Sequence, residues 1–350
     1  MALEPGKPES GPTSWRLETL TGWHLPLLVD PAFLPLQPVL QRAVLLGLPE
    51  RLIHALTARQ AIAPVVLVAM DDQTPLGLIV TRRLNRSGSC WQVQHLRLAQ
   101  PEGQRDLAAT LLREAIHQAK AAASWIATAS SLDSSRLALL REQGFQPLRT
   151  DQLWCWRGSE ASADANPPAP PPGLQLRPLN RRTGALLWHL EQAACPAQLR
   201  QLLDRRVEDL LDQSHGRGWM WVDGARGEAV AGVRWMGDHA GGGHDVELSV
   251  HPGWQHLIGL PIEQLLNKAQ QSFGDAQPLW LHCDVRDGSR QQWLRQQGAV
   301  ERGERVLMAR SVWRRHEHHA PMQAAKGLEA VLGQLQPQRR PLPTPVGPLP

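Results

Sequence analysis

Asp133-Ser134-Ser135-Arg136, followed by Leu140-Arg141-Glu142-Gln143-Gly144, returns 154 positions later as Asp287-Gly288-Ser289-Arg290, followed by Leu294-Arg295-Gln296-Gln297-Gly298. In each copy an acidic residue and a hydroxyl residue precede the run, the pattern of a helix start whose free N–H groups are capped by a side chain. Other anchors keep nearly the same lag. Leu111-Leu112 and Leu265-Leu266 are helical apolar pairs 154 apart, and Gly77 in TPLGLIVTRR matches Gly232 in AVAGVRWM at 155. Anchors this widely spaced hold one register only if the two halves share a fold.

Working outward, the stretch SEASADANPPAPPPG at 159–173 has no apolar periodicity and ends in polyproline, so it reads as a linker. It leaves two segments of nearly equal length, 14–158 and 174–315. Residues 1–13 are polar and read as a disordered start. The tail, 316–350, carries a short helical stripe at Leu328, Val331, Leu332 and Leu335 before dissolving into PQRRPLPTPVGPLP, and is expected to be mostly disordered.

Within 174–315 the alternation and turn residues predict a strand at 174–178 and two helices, the second starting at Pro196 with Leu199, Leu202, Leu203, Val207, Leu210 and Leu211 on one face. Strands follow at 219–222, 229–236 and 245–250. A helix over 259–271, a strand at 278–284, a helix over 289–297 and a closing strand at 305–312 complete the unit. The first segment repeats this order, with strands near Trp15, Val65, Leu76, Val93, Trp125 and Leu153.

Composition sets outer bounds. Of 350 residues 42% are hydrophobic and 20% charged, which suits a folded globular chain of two domains. Tyr is absent and Phe occurs three times against fourteen Trp, so Trp must fill the aromatic core positions and no phenol is available for chemistry. The net charge of +4 comes from scattered Lys and Arg rather than a basic groove, and no nucleic-acid partner is expected. No apolar run reaches the roughly 18 residues of a membrane span, so no membrane partner is expected either. Cys90, Cys155, Cys195 and Cys283 form no CxxC pair, which points to core thiols in a reducing cytoplasm and to no zinc site. The tract His316-Glu317-His318-His319 begins the tail without a second ligand cluster, so no metal site is assigned. GxSxG, P-loop and HExxH motifs are absent, which removes hydrolase, NTPase and metalloprotease readings.

The element order, about 145 residues per unit, resembles the GNAT acyl-CoA N-acyltransferase superfamily over both halves. VELSVHPGWQ at 246–255 is similar to the family's fourth strand and its exit, the helix with Leu265-Leu266 to the one that follows, and 287–298 to the segment after its fifth strand. The resemblance implies an α/β fold with a mixed sheet, two domains in tandem, and acetyl-CoA or another acyl-CoA as cosubstrate. Its pantetheine would lie between splayed fourth and fifth strands near Val250 and Leu281. Gln255, His256, Gly259 and Leu260 match the loop and helix start that hold the diphosphate, and Val250 and Asp287 complete the cofactor set. In the first half the corresponding loop carries Gly103, Asp106 and Ala108, and the Asp106 carboxylate would repel a diphosphate unless turned away.

The family's reaction is attack of an amine on the acyl thioester, assisted by a base and often by a Tyr. The Tyr positions are Leu140 and Leu294 here. Glu247 is the candidate base, and strand alternation puts it on one face with Ser249 and His251. His95 is the first-half counterpart of Glu247. A strand carboxylate paired with an arginine is the competing reading of Glu247. The expected function is therefore N-acyl transfer to an amine, small-molecule or peptide, centred on the second half. The alternative is a catalytically inert tandem scaffold.

Overall fold

The structure is a computed structural model that describes residues 15–46, 63–100, 103–158, 170–274 and 277–311. The expectations for 1–13, for most of the linker and for the tail, including its helical stripe and the His316–His319 tract, fall outside these residues.

The first half begins with β1 (Arg16–Thr19) and a helix over 37–46 (α1). It continues with β2 (Val65–Asp71), β3 (Thr74–Arg83), β4 (Cys90–Leu98), α2 (Arg105–Gln118), β5 (Ser124–Ser130), α3 (Ser134–Glu142) and β6 (Gln146–Trp156). The second repeats it as β7 (Leu174–Pro178), α4 (Gly184–Ala194), α5 (Ala197–Leu203), α6 (Val207–Ser214), β8 (Gly218–Asp223), β9 (Glu228–Asp238), β10 (His244–Val250), α7 (Leu260–Phe273), β11 (Leu279–Asp284), α8 (Gly288–Gln296) and β12 (Val300–Ser311). The repeated motif does what its residue types require. Asp133 accepts from Arg136 N at 2.9 Å and Asp287 from Arg290 N at 3.1 Å, so matching carboxylates cap α3 and α8.

The described strands form one 12-stranded sheet, ordered β1-β2-β3-β4-β5-β12-β6-β11-β10-β9-β8-β7. The two closing strands are exchanged. β12, from the second segment, pairs with β5 of the first, and β6 pairs with β11 of the second. Their side chains follow the exchange. Trp154 and Trp156 of β6 are buried among Val246, Leu281 and Leu294, whereas Met308 of β12 is buried with Trp125 and Leu140. Segments 14–158 and 174–315 are thus repeats in sequence, but neither carries its own sheet to completion.

α2 and α3 cover one face of the first half over Trp91, Val93 and Ala127, and α7 and α8 cover the same face of the second over Val246, Leu248 and Leu281. On the opposite face α1 packs over Leu78 and Val80, and α4 and α6 over Met220 and Val222. Gly77 and Gly232 fall on different faces. A Cβ at Gly77 would meet Leu98 and Leu111, and one at Gly232 would meet Leu187 and Leu190. Their lag of 155 is one residue out of register, which in a strand reverses the side-chain face; the residue that matches Gly77 at 154 is Ala231.

The long helix expected from Pro196 onward is two helices. Asp204 adopts a left-handed conformation (φ 44°) and ends α5. The buried Asp209 carboxylate then accepts both Arg206 N at 2.8 Å and Arg86 N at 2.6 Å, so one side chain starts α6 and ties it to the β3–β4 turn of the first half. Asn85 Nδ2 donates to Leu203 O and Asp204 O, Ser124 Oγ donates to Leu202 O at 2.6 Å, and Arg86 pairs with Asp212. The break serves the junction between halves rather than the helix itself.

A cleft between two strand wedges

In both halves the central parallel pair parts company. β4 follows β5 from Cys90↔Ser124 to Val93↔Ala127 and no further, and β10 follows β11 from His244↔Leu279 to Val246↔Leu281. Beyond those residues each pair opens a wedge, and both wedges lead into one cleft of about 2640 Å³ on the α1/α4 face of the sheet. His251 N donates to Val230 O, so along β10 the odd residues bond to β9, and Leu248 and Val250 turn their backbone groups into the second wedge. Ala99 N donates to Leu76 O, which by the same alternation turns Leu96 and Leu98 into the first.

Glu247 and Ser249 line the cleft as expected, but Glu247 is not poised as a base. It lies cross-strand from Arg234, whose buried guanidinium donates to Glu247 and to Glu191 of α4. Arg205 Nη1 stands 3.5 Å from Glu191 and 3.8 Å from Glu247. Burial pushes the Glu247 carboxyl up, but Arg234, then Arg205 and Arg149, outweigh it and hold it at about 2. Burial dominates at Glu191 and raises its pKa. A carboxylate so firmly paired is a weak proton acceptor, and the candidate base is corrected to one arm of a buried ion network. Among the described residues no hydrogen bond activates the Ser249 hydroxyl. His251 is used structurally, its Nδ1 accepting Gly253 N at 3.1 Å at the start of a short 3₁₀ turn, Pro252–Leu257.

The second wedge also fits a cofactor poorly. Arg290, in the first turn of α8, is held by Asp287 at 3.2 Å and donates through Nη1 to Leu248 O at 3.2 Å, bridging the gap where pantetheine would run. Val250 and Gln255 line the cleft, whereas Leu257 is buried in the core under the 3₁₀ turn and His256 leans on the Trp254 ring. Gly259 does precede α7, but the helix carries Pro261 in its first turn, a residue with no N–H to offer an anion, and Leu260 is exposed. Asp287 is occupied as a helix cap.

The first wedge has the same frame with different contents. His95 stands across from Val80 as Glu247 stands across from Arg234, so the two are true counterparts. Burial first, then Arg97, Arg136 and Arg82, push the His95 imidazole down to about 4, which leaves it unprotonated at neutral pH. Arg136, the counterpart of Arg290, makes no side-chain hydrogen bond or ion pair among the described residues, so it does not bridge this gap as Arg290 bridges the other. α2 begins after Gly103, whose φ of +74° suits a residue without Cβ, and its N-cap residue, Gln104, makes no side-chain capping bond. Asp106 in that turn is exposed. Leu140 and Leu294 are buried core residues on α3 and α8.

The arginines and Glu191 are the site residues that sequence reasoning missed. Arg136 and Arg290 were visible as the fourth letter of the repeated motif. Arg234 and Glu191, 43 positions apart, left no local signal.

Among the described residues no group of His, Cys, Asp and Glu could hold a metal ion, and no helix is long and apolar enough to cross a membrane. No protein-family model and no curated protein matches the sequence. Solved structures do. A GCN5-related N-acetyltransferase from Sphaerobacter thermophilus aligns over 86% of this chain and 96% of its own at 15% identity, with a TM-score of 0.52. A tandem GNAT protein from the clavulanic acid biosynthesis pathway, solved without AcCoA, aligns over 86% and 99% at 15% identity, with a TM-score of 0.53. At this identity the likeness speaks to fold, and the fold it establishes is the GNAT fold built twice in tandem.

Proposed function

We propose that this protein is an acyl-CoA-dependent N-acyltransferase whose working site is the first-half wedge. The carrying observation is that β4 leaves β5 after Val93 and that, among the described residues, no side-chain hydrogen bond spans the gap beside Leu96 and Leu98. A free strand edge of this kind can receive an extended, amide-bearing chain such as pantetheine as if it were a further strand. Acyl-CoA would supply the activated acyl carbon. The amine acceptor, small-molecule or peptide, would approach from the cleft, form the C–N bond as the C–S bond breaks, and give up a proton. His95 lies unprotonated on the cleft face of β4, where its imidazole can accept a hydrogen bond from the incoming amine and orient it. Held at about 4, it is too weak a base to keep the proton, which passes to solvent and from there to the departing sulfur. With four free cysteines the chain suits a reducing compartment such as the cytoplasm.

Calorimetric titration of the full chain with acetyl-CoA tests the reading, followed by thiol release in the presence of an amine panel. One bound acetyl-CoA per chain and amine-dependent thiol release are expected. Absence of binding at millimolar ligand removes the proposal. The second reading, a non-catalytic tandem scaffold, draws on the Arg290 bridge across the second wedge and on the leucines at both Tyr positions; binding without turnover would favour it.

A further inference from the structure

The two ends of the cleft differ sharply in charge balance. At the second-half end the enclosed cations have anions: Arg234 with Glu191 and Glu247, Arg149 with Asp151 at 2.8 Å, Arg290 with Asp287, while Arg181 and Arg286 on the rim are exposed to solvent. At the first-half end Arg97 of β4, Arg136 of α3 and Arg305 of β12 form no ion pair among the described residues, and Arg82 of β3 is held only by the neutral Gln92 amide at 2.9 Å. All four line the cleft; Arg82, Arg97 and Arg136 stand near enough to His95 to act on its charge, and Arg305 near enough to act on Arg136. Strand exchange brings Arg305 there. It pairs in register with Ser130 on one side and Asp151 on the other, and Asp151 is its counterpart in the repeat. The same place in the two halves therefore holds an arginine at one wedge and an aspartate at the other.

The described carboxylates lining this end, Asp133 and Asp151, are already engaged. Asp133 caps α3 through Arg136 N, and Asp151 is held by Arg149. Arg82, Arg136 and Arg305 are half-buried and Arg97 is exposed. Guanidinium groups gathered without counter-charges repel one another, and the half-buried ones lose hydration, a cost that an incoming anion would relieve. Their planar forks suit oxyanions with two or more acceptor oxygens.

We propose that the first-half end of the cleft, formed by Arg82, Arg97, Arg136 and Arg305, is a binding site for an oxyanion group, a carboxylate or a phosphate, of a small ligand. For the acyl transfer proposed above this makes the acceptor an anionic amine, a step that rests on that reading; the binding itself does not.

The test is calorimetry on the full chain, without acetyl-CoA, using inorganic phosphate and citrate as probes at ionic strength held constant with KCl. Saturable binding at one site per chain is expected, weakened about tenfold or more in Arg136→Gln and Arg305→Gln. Arg226→Gln, at an exposed residue of the β8–β9 turn, should bind as the parent does. Arg97→Gln alters an exposed side chain and serves if the half-buried variants fail to fold. Tighter phosphate points to a phosphate ester, tighter citrate to a polycarboxylate. A response no greater than that to KCl, or equal loss in Arg226→Gln, overturns the site.

Discussion

Arg234 lies directly across the β9–β10 ladder from Glu247, and its buried guanidinium also reaches back to Glu191 on α4. Removing that cation leaves two carboxylates, Glu191 almost enclosed, with Arg205 at 3.5 and 3.8 Å as their remaining partner. Arg234→Met should cost about 3–5 kcal/mol of stability, the range for breaking a buried ion network at one member. Urea unfolding followed by Trp fluorescence measures it, and a loss below about 1 kcal/mol, as at a surface pair, would show that the network contributes little.

The same network sets a pH dependence. Because the Glu247 carboxyl is held at about 2 in the folded chain, below its ordinary 4.5, the folded state favours the carboxylate. Its stabilisation is complete above about pH 4.5 and is lost as pH falls toward 2. Glu247→Gln should therefore be less stable than the parent near neutrality, and the gap should narrow on acidification. Urea midpoints at about pH 6 and pH 3 give the comparison; a gap that stays constant argues against the assignment.

Exchange of closing strands predicts the behaviour of the halves made separately. A 174–315 fragment lacks β6, so β11 presents an unpaired edge and β12 has no first-half partner. Such a fragment should self-associate, since exposed edges template pairing. Co-expression with a 14–158 fragment should instead yield a one-to-one complex by light scattering. A monodisperse, folded 174–315 monomer would contradict the exchanged topology.

The matching caps offer a quieter check. Asp133→Ala and Asp287→Ala should each cost about 1 kcal/mol, the usual loss of an N-cap. They sit in different halves with no shared partner, so the double variant should lose the sum to within about 0.5 kcal/mol.

What the sequence made legible was the part written in local contacts. Asp133 and Asp287 announce helix starts because a cap is a matter of three residues, and the 154-residue lag exposes the repeat because equivalent helices need equivalent caps. The missing phenol at Leu140 and Leu294 was plain for the same reason. The break at Asp204 was hidden, since the leucines continue at helical spacing on both sides and the interruption is set by Arg86 and Asn85 more than a hundred residues away. The exchange was hidden too. β6 and β12 alternate equally well, and pairing inside a half or across it leaves the same pattern in the letters. Glu247 looked like a base because its strand position was readable, while Arg234, Arg205 and Glu191 were spread over β9, the α5–α6 connection and α4.

One consequence concerns synthesis on the ribosome. β5 is made early, yet its neighbour is β12, whose paired residues run from Arg305↔Ser130 to Ser311↔Ser124, so the first repeat cannot close its sheet as it emerges. It must wait with an open flank until the last strand is released, and a flank open that long invites the wrong partner. Separations of that size also slow folding, which makes the order of translation, and not only the final packing, a determinant of how much of this protein reaches its native form.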